Sequence, residues 1–276
     1  MRCGPSAVVS RGNQIIIESS TFDSCTTAGT TSFLSCPTAV YVSQSQFTNL
    51  VGTSPIIISS QMSLSYNRFD NNSNSESLLV GRNVVNTNNN FTRNRGDGVQ
   101  GVVVRISQMN GTFQDTGSIY DGNAAINNGI GGAIYLKDCL SVDLHGVTIT
   151  NNQAAYGAAI QAVHSVVHMT DTIINDNNCS RGQCFIIMTL DTTMNVETTH
   201  FQTNTAQGGV LMLTNASTID QCHFDSNSIY NTSSAVIAFI TLDEQMLMVN
   251  SSTFIHDSSY SIQSNSDAAI DSCSFT

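Results

Sequence analysis

The sequence has few charged residues, no tryptophan and only three prolines. Charged side chains make up 11% of the 276 residues, and Lys137 is the only lysine. An average soluble domain carries about 25% charged residues, so a compact globular fold with this composition would be unusual. The formal net charge of −11 argues against nucleic acid or an anionic membrane as a partner.

Long apolar segments are also missing. No apolar run approaches the roughly 18–20 residues of a membrane-spanning helix, so no membrane insertion is expected. The first residues lack the apolar core of a secretory signal, which leaves three explanations open: a removed signal, a piece of a longer chain, or no export. The eight cysteines show no paired Cys-x-x-Cys spacing, so neither a zinc site nor another cofactor is predicted.

Asparagine, serine and threonine supply most of the polarity, with 28, 36 and 29 residues respectively. They occur in a repeat, which is the first feature to seek in such a chain. Seven tetrads begin with a large apolar residue and end three residues later with asparagine, at intervals of 22 to 29 residues. These asparagines are Asn72, Asn94, Asn123, Asn152, Asn177, Asn204 and Asn227.

Each repeat also contains an apolar run, such as residues 56–58 or 102–104, followed by a segment of alternating apolar and polar residues. Three short strands in every 25 residues or so fit three faces of a coil, in which each strand pairs in parallel with its copy one turn later. The sequence therefore predicts an all-β, right-handed parallel β-helix. Residues 1–276 would form one domain of about 10–11 turns, each of about 22–30 residues with three strands.

The tetrads also predict two columns inside the coil. The aromatic residues would stack from turn to turn, and the predicted stack contains Phe22, Phe47, Phe69, Phe91, Phe201, Phe224, Phe254 and Phe275. The seven asparagines would form a structural ladder, each amide donating to one neighbouring copy and accepting from the other. The pair Gly131 and Gly132 would permit a turn too tight for a Cβ atom.

The combination of Phe-x-x-Asn with Gly-Gly-Ala-Ile at residues 131–134 resembles the repeat pair of the chlamydial polymorphic membrane proteins, whose passenger domains are β-helical adhesins. Relaxed forms of the second motif occur at residues 157–160 and 208–211, so the resemblance spans roughly residues 56–240. It implies the pectin-lyase-like parallel β-helix fold and an adhesive role at a cell surface.

Parallel β-helices also include polysaccharide lyases and hydrolases, so catalysis has to be considered. A glycoside hydrolase needs two carboxyl groups about 5–9.5 Å apart. The candidate aspartates lie in or beside turns and form no tight pair in the sequence; they are Asp115, Asp121, Asp138, Asp143, Asp171, Asp176 and Asp191. Because tryptophan platforms for sugars are also lacking, the sequence favours a non-catalytic protein.

Two further patterns have simple structural interpretations. His200 and His223 each precede a stacked phenylalanine in successive turns. Such a pair could bind a metal or could simply face solvent, and the sequence favours the solvent-facing position. The residues Arg95, Gly96 and Asp97 spell the tripeptide that integrins recognise. Such a tripeptide occurs readily by chance in a polar loop.

The cysteine spacing suggests two loop disulfides if the protein is exported. One would join Cys179 and Cys184, and the other Cys25 and Cys36. Cys222 occupies the same position as Cys273 two turns later, which places this pair too far apart to bond.

Seven Asn-x-Ser/Thr sequons occur, about the number that the composition produces by chance. Three of them are expected near corners that could accommodate a glycan, at Asn110, Asn215 and Asn250.

The leading hypothesis is an extracellular or cell-surface β-helix with an adhesive or structural role, in a filament or a surface scaffold. Its partners would be further β-helix turns or other copies at the ends of the coil, or a host-cell or glycan surface. The alternatives are a polysaccharide-processing enzyme and a non-catalytic carbohydrate-binding module.

Overall fold

The computed structural model describes residues 8–9, 13–26, 32–181, 184–230, 235–240, 245–257 and 260–276. In these ranges the chain consists of short strands and corners, without a helix. Accordingly, no helix long and apolar enough to cross a membrane occurs in this part of the chain. The strands wind into a parallel β-solenoid of about ten turns, which confirms the predicted fold class.

Three parallel sheets run along the solenoid, as three strands per turn require. The first sheet has 19 strands. Its strands are Val8–Val9, Gln14–Glu18, Leu34–Ser43, Ile57–Ser65, Leu79–Thr87, Val104–Ile106, Gly111–Thr116, Ile134–Lys137, Cys139–His145, Ile160–Val163, Val166–Thr170, Phe185–Leu190, Thr193–Glu197, Gly209–Leu213, Ser217–Asp220, Ala235–Phe239, Met246–Asn250, Tyr260–Ser264 and Asp267–Asp271.

The second and third sheets are narrower. The second has 11 strands: Thr21–Asp23, Gln46–Thr48, Arg68–Asp70, Asn90–Thr92, Ile119–Asp121, Thr148–Thr150, Ile173–Asn175, His200–Gln202, His223–Asp225, Thr253–Ile255 and Ser274–Phe275. The third has eight: Val51–Gly52, Ser73–Asn74, Arg95–Asp97, Ala124–Ile126, Gln153–Ala154, Asn178–Cys179, Thr205–Ala206 and Ser228–Ile229.

The first sheet has a bend that crosses its strands. In an early turn one long strand, Leu34–Ser43, crosses the bend. In a later turn two strands, Ile134–Lys137 and Cys139–His145, replace it and are separated by Asp138 in a left-handed conformation with φ +56°. The sequence predicts the apolar run and the alternating segment as two separate faces, whereas the structure places both in the first sheet.

Left-handed residues also form the corner between the second and third sheets. Asn71, Arg93 and Asn151 have φ values of 53°, 54° and 54°. Each immediately precedes a ladder asparagine, so the bend lies one residue earlier than the tetrad suggests. Short polar side chains and glycine tolerate this conformation best, which explains why asparagine, aspartate and serine are abundant at these corners.

A polar cluster interrupts the apolar interior. Asn86 and Asp115 pair with each other in an inward column, between Leu64 on one side and Leu144 on the other. Asp115 is 1% exposed and accepts a hydrogen bond from the Tyr120 hydroxyl, whose oxygen also accepts from the Asn86 amide at 3.2 Å. Burial raises the pKa of the Asp115 carboxyl, and it also raises the pKa of Tyr120 well above its ordinary value.

Candidate functional site

The seven predicted asparagines lie in one continuous column, and each is at most 1% exposed. From Asn94 to Asn227, each side-chain oxygen accepts both the main-chain N–H and the side-chain amide of the asparagine one turn earlier, at 2.9–3.1 Å. Each amide also donates to a main-chain oxygen of the turn before, as Asn123 does to Phe91 at 3.0 Å. The ladder thus satisfies polar groups that would otherwise be buried without partners.

The ladder extends one position further at each end than the asparagines do. The Leu50 N–H donates to Asn72 at 2.9 Å, and Asn227 donates to a carboxylate oxygen of Asp257 at 2.9 and 3.0 Å. The tetrad motif missed Asp257 because it required asparagine. The signal was present nonetheless, since Asp257 follows Phe254 by the same three residues as in each tetrad.

The predicted aromatic stack is present as two separate segments. In the first, Phe22, Phe47, Phe69 and Phe91 continue into Tyr120, with ring centroids 4.7–5.0 Å apart. Ile149 and Ile174 then occupy the same column. The second segment contains Phe201, Phe224, Phe254 and Phe275, with the same spacing of 4.7–5.0 Å.

A second polar column, which the sequence reasoning missed, lies two residues before the aromatic column. Ser45 N–H donates to Asn67, Asn67 N–H to Asn89, and Asn89 N–H to Ser118, at 2.9–3.2 Å. The small polar residue two positions before each phenylalanine was the available signal. The coil is therefore held by two side-chain ladders in these turns.

The predicted disulfide between Cys25 and Cys36 is wrong. Cys36 is a buried thiol in the first sheet, opposite Ser59, whereas Cys25 follows a strand of the second sheet and is disulfide-bonded to a different residue. The two side chains belong to different faces of the coil. The spacing in sequence had suggested one local loop, but the corner between the faces separates them.

The other cysteines of the described ranges are thiols, so the predicted disulfide between Cys179 and Cys184 is not formed in this structure. Cys179 and Cys184 are both buried, at 1% and 0% exposure, on the two sides of one corner. Cys222 and Cys273 lie two turns apart in one column, with Ser252 between them.

The two histidines and the two charged residues of the integrin-type tripeptide lie on the outer surface. His200 and His223 pair across neighbouring turns with ring centroids 5.6 Å apart. Over the described ranges, no group of three or more His, Cys, Asp or Glu side chains is placed to hold a metal ion. The strand Arg95–Asp97 carries the integrin-type tripeptide, so this segment is part of the third sheet and not a loop.

The predicted glycan positions differ in exposure. Asn110 is an exposed corner residue with φ +59°, Asn215 is a half-buried residue between two strands, and Asn250 is the half-buried last residue of a strand. The sequon at Asn231 lies outside the described residues.

The cluster of arginines between positions 68 and 105 is largely paired. Arg68 and Arg93 both contact Asp70, and Arg105 contacts Glu76 at 3.1 Å. Burial alone would raise the pKa of Asp70, but the hydrogen bonds from Arg93, Thr92 and Arg68 outweigh it, and that pKa is lowered. Three of the five arginines in this segment are thus paired with a carboxylate.

A surface hollow of about 420 Å³ lies on one of the long faces. It lies on the outer face of the first sheet and spans three turns. Two columns of side chains border it: His168, Asn195 and Thr218 in one, and Thr170, Glu197 and Asp220 in the other.

This hollow contains a pair of carboxylates that the sequence did not reveal. Glu197 and Asp220 are paired in adjacent strands, so their Cα atoms are about one strand spacing, ~4.8 Å, apart. They are 23 positions apart in the chain, and only the register of the turns brings them together. No phenylalanine, tyrosine or tryptophan lines the hollow to form a platform for a sugar ring.

A second hollow, of about 360 Å³, lies at the bend of the first sheet. Leu140 is an extra, bulged residue at its edge and is 64% exposed. His164 lies between Asp138 and Asp191, with ring nitrogens 3.2 and 3.4 Å from their carboxylate oxygens. The three side chains belong to successive turns and tie them together at the surface.

Comparisons of the chain with protein-family models, with curated proteins and with solved structures found no match. The parallel solenoid is therefore assigned from its strand pairing alone. Any narrower family relationship rests on the repeat motifs in the sequence.

Proposed function

We propose that this chain is a rigid extracellular or cell-surface rod with an adhesive or structural role and no catalytic activity. The observation that carries this proposal is the unbroken stacking of strands along the solenoid. The second sheet stacks eleven strands in one unbroken order, which at about 4.8 Å per strand gives a rod on the order of 50 Å long. Because each turn is hydrogen-bonded to its neighbours, such a rod resists bending.

The surface chemistry supports the same proposal. The long faces present mainly hydroxyl and amide groups, and only 11% of the residues are charged. The repeat pair that resembles the chlamydial polymorphic membrane proteins, and through them the pectin-lyase-like superfamily, also favours an adhesive surface element. A polar, weakly charged face suits contacts with glycans or with other proteins.

The partners proposed for the rod are further turns of the same kind or a second copy of the chain. In the last described turn, the strands Asp267–Asp271 and Ser274–Phe275 pair on one side only. Ile270 and Phe275 continue the interior columns but are 48% and 49% exposed. Edge strands of this kind are templates for pairing with another chain.

The experiment compares the purified chain with two lysine variants of the edge strand. Ile270 continues an inward column and Ala269 the neighbouring outward one, so Ile270→Lys should block stacking while Ala269→Lys should not. Sedimentation velocity and negative-stain electron microscopy over a range of concentrations should show rods that join end to end for the wild type and Ala269→Lys only.

A glycan array and a cell-binding assay test the adhesive role of the same protein. The proposal is contradicted if the wild type stays a single short rod at every concentration and binds neither glycans nor cells. Binding to the array without any turnover would identify the adhesive form of the proposal, which includes a carbohydrate-binding module.

A second candidate function is polysaccharide hydrolysis, which the paired carboxylates of Glu197 and Asp220 favour. Carboxyl groups about 5–5.5 Å apart are typical of retaining glycosidases. The test is release of reducing ends from a panel of plant and microbial polysaccharides. Glu197→Gln should abolish any such activity while Asp143→Asn, an outward change on the same sheet but outside the hollow, should leave it intact.

A further inference from the structure

The corner between the third sheet and the next turn of the first sheet contains two cysteines. Cys179 ends the strand Asn178–Cys179, and Cys184 directly precedes the strand Phe185–Leu190. Both ends are fixed by the solenoid, since the Ser180 N–H donates to Ala154 at 3.2 Å and the Gly208 N–H donates to Cys184 at 2.7 Å.

Neighbouring turns have the smallest side chains at these two positions. Cys179 pairs with Ala154 in the turn before. The pairing of Ile187 with Ile160, and of Phe185 with Gly209, places Cys184 between Gly157 and Gly208. In the Cys179 turn, two sulfur atoms thus occupy the space that an alanine and a glycine occupy in the turns on either side.

A hydrogen bond between the two thiols contributes to the pKa shifts of both cysteines. The Cys179 thiol also lies 3.3 Å from the main-chain oxygen of Ala155. The hydrogen bond from Cys179, helped by main-chain N–H groups, lowers the pKa of Cys184 to about 6, whereas burial raises the pKa of Cys179. One thiol is thereby prepared as a nucleophile, and its neighbour is the resolving thiol.

The other buried thiols have no such arrangement. Burial raises the pKa of Cys139 to about 11 and that of Cys222 to about 12, because neither has a second thiol beside it to stabilise the thiolate. Cys139 is hydrogen-bonded to a main-chain oxygen and to Ser165. These two residues are therefore matched internal controls.

We infer that Cys179 and Cys184 form a redox modification site that closes to an intramolecular disulfide when it reacts with a low-molecular-weight disulfide such as oxidised glutathione. The Cys184 thiolate attacks one sulfur of the reagent, the reagent's S–S bond breaks, and one glutathione thiolate leaves. Cys179 then loses its proton and attacks the Cys184 sulfur, which releases the second glutathione. The protein loses two electrons and two protons, and the reagent becomes two thiols.

The site is enclosed, and this limits the rate at which it is oxidised. Neither side chain exceeds 1% exposure, so the reagent reaches Cys184 only when the solenoid opens locally. The rate of oxidation should therefore rise in concentrations of urea too low to unfold the solenoid.

The disulfide, once formed, joins the third sheet of one turn to the first sheet of the next.

The experiment incubates the full chain in glutathione redox buffers and maps peptides without reduction. We expect a species that has lost the mass of two hydrogen atoms, with Cys179 and Cys184 linked, and a higher melting temperature than the reduced form. Cys139→Ser should behave as the wild type. Cys179→Ser should stop at a mixed disulfide of Cys184 with glutathione, and Cys184→Ser should not react at this corner.

Two results would overturn the inference. One is that no linked peptide forms in oxidised glutathione, even in mild urea. The other is that Cys139 and Cys222 react as fast as Cys184 in the same mapping experiment. Neither result bears on the stacking or glycan-binding assays, so the inference fails or stands separately from the proposed function.

Discussion

Asp257 places a carboxyl group at the end of a ladder built from amides. One of its oxygens accepts both donors of Asn227, while the other is buried without a hydrogen-bond partner. In the asparagine rungs, the atom at that place is an amide nitrogen that donates to a main-chain oxygen, as Asn227 does to Phe201. A carboxylate has no proton to donate, and burial, together with the nearby charge of Asp225, raises the pKa of Asp257 despite the Asn227 bonds and His223.

We expect Asp257→Asn to stabilise the protein by about 1 kcal/mol at pH 7, because the amide restores the missing donor. A raised folded-state pKa means that the wild type loses stability as pH rises from the unfolded value near 3.8 through the folded value. The variant has no such loss, so its advantage should shrink on acidification below about pH 4. Urea unfolding at both pH values measures the difference.

The matched control is Asp267→Asn, an exposed change in the last turn. Its effect on the free energy of unfolding should be small, within about 0.5 kcal/mol. A gain for Asp257→Asn that is equal at both pH values would show that ionisation of this carboxyl is not the cause.

At the residue level, the sequence correctly predicted the residues that recur at a fixed position in each repeat. The phase of the tetrads placed Asn72 to Asn227 in one column, because the second-sheet strands that carry the tetrads pair without register shifts. It failed where a different residue type fills the same place, as Asp257 does. It also failed where proximity depends on which face a residue occupies, as in the wrong pairing of Cys25 with Cys36.

At the level of strands and corners, close packing of successive turns depends on glycine. A Cβ added to Gly132 would lie 2.0 Å from the main-chain oxygen of Ala158, which belongs to the next turn and shortly precedes the strand Ile160–Val163. Gly131 beside it has φ +66°. The sequence predicted a tight turn at this pair. The structure shows that the backbone of the next turn, at Ala158, leaves no room for a Cβ atom.

We expect Gly132→Ala to destabilise the protein by more than about 2 kcal/mol, because the conflict is with backbone that cannot move aside. The control is Gly146→Ala, where the backbone is left-handed with φ +60° but nothing lies within 4 Å of the added Cβ. The control should cost only about 1 kcal/mol of conformational strain. Thermal and urea unfolding compare the two; equal losses would mean that steric contact with Ala158 is unimportant.

The sequence predicted the strands better than their boundaries. Period-two alternation predicted which residues face inward, but the apolar run and the alternating segment were predicted as two faces although both lie in the first sheet. The two-residue strands of the third sheet, such as Gln153–Ala154, are too short to show alternation. The pair Glu197 and Asp220 was missed for a related reason, since it depends on the number of residues in the intervening corners.

On the scale of the whole molecule, each turn interacts with its two neighbours and with little else, so stability should be a sum of local terms. Asn94 and Asn123 share two hydrogen bonds, at 3.1 and 2.9 Å. Asn94 and Asn204 are four rungs apart along the ladder. The first pair should be energetically coupled and the second should not.

A double-mutant cycle measures this coupling. Asn94→Ala with Asn123→Ala should cost less than the sum of the single losses by about 1 kcal/mol, because the same bonds are counted twice. Asn94→Ala with Asn204→Ala should add to within about 0.5 kcal/mol. Coupling of similar size in both pairs would show that the solenoid behaves as one cooperative block.

The register of the columns also bears on how fast such a chain can fold. Paired residues are separated by roughly one turn of chain, for example 23 positions between Phe201 and Phe224 and 29 between Phe91 and Tyr120. Divided by 276 residues, these separations are about 0.08 and 0.11, the range of relative contact order that helical bundles show and below that of β-sandwiches. A wholly parallel β-protein of this design closes only one turn-length loop at a time, so its folding is governed by local steps.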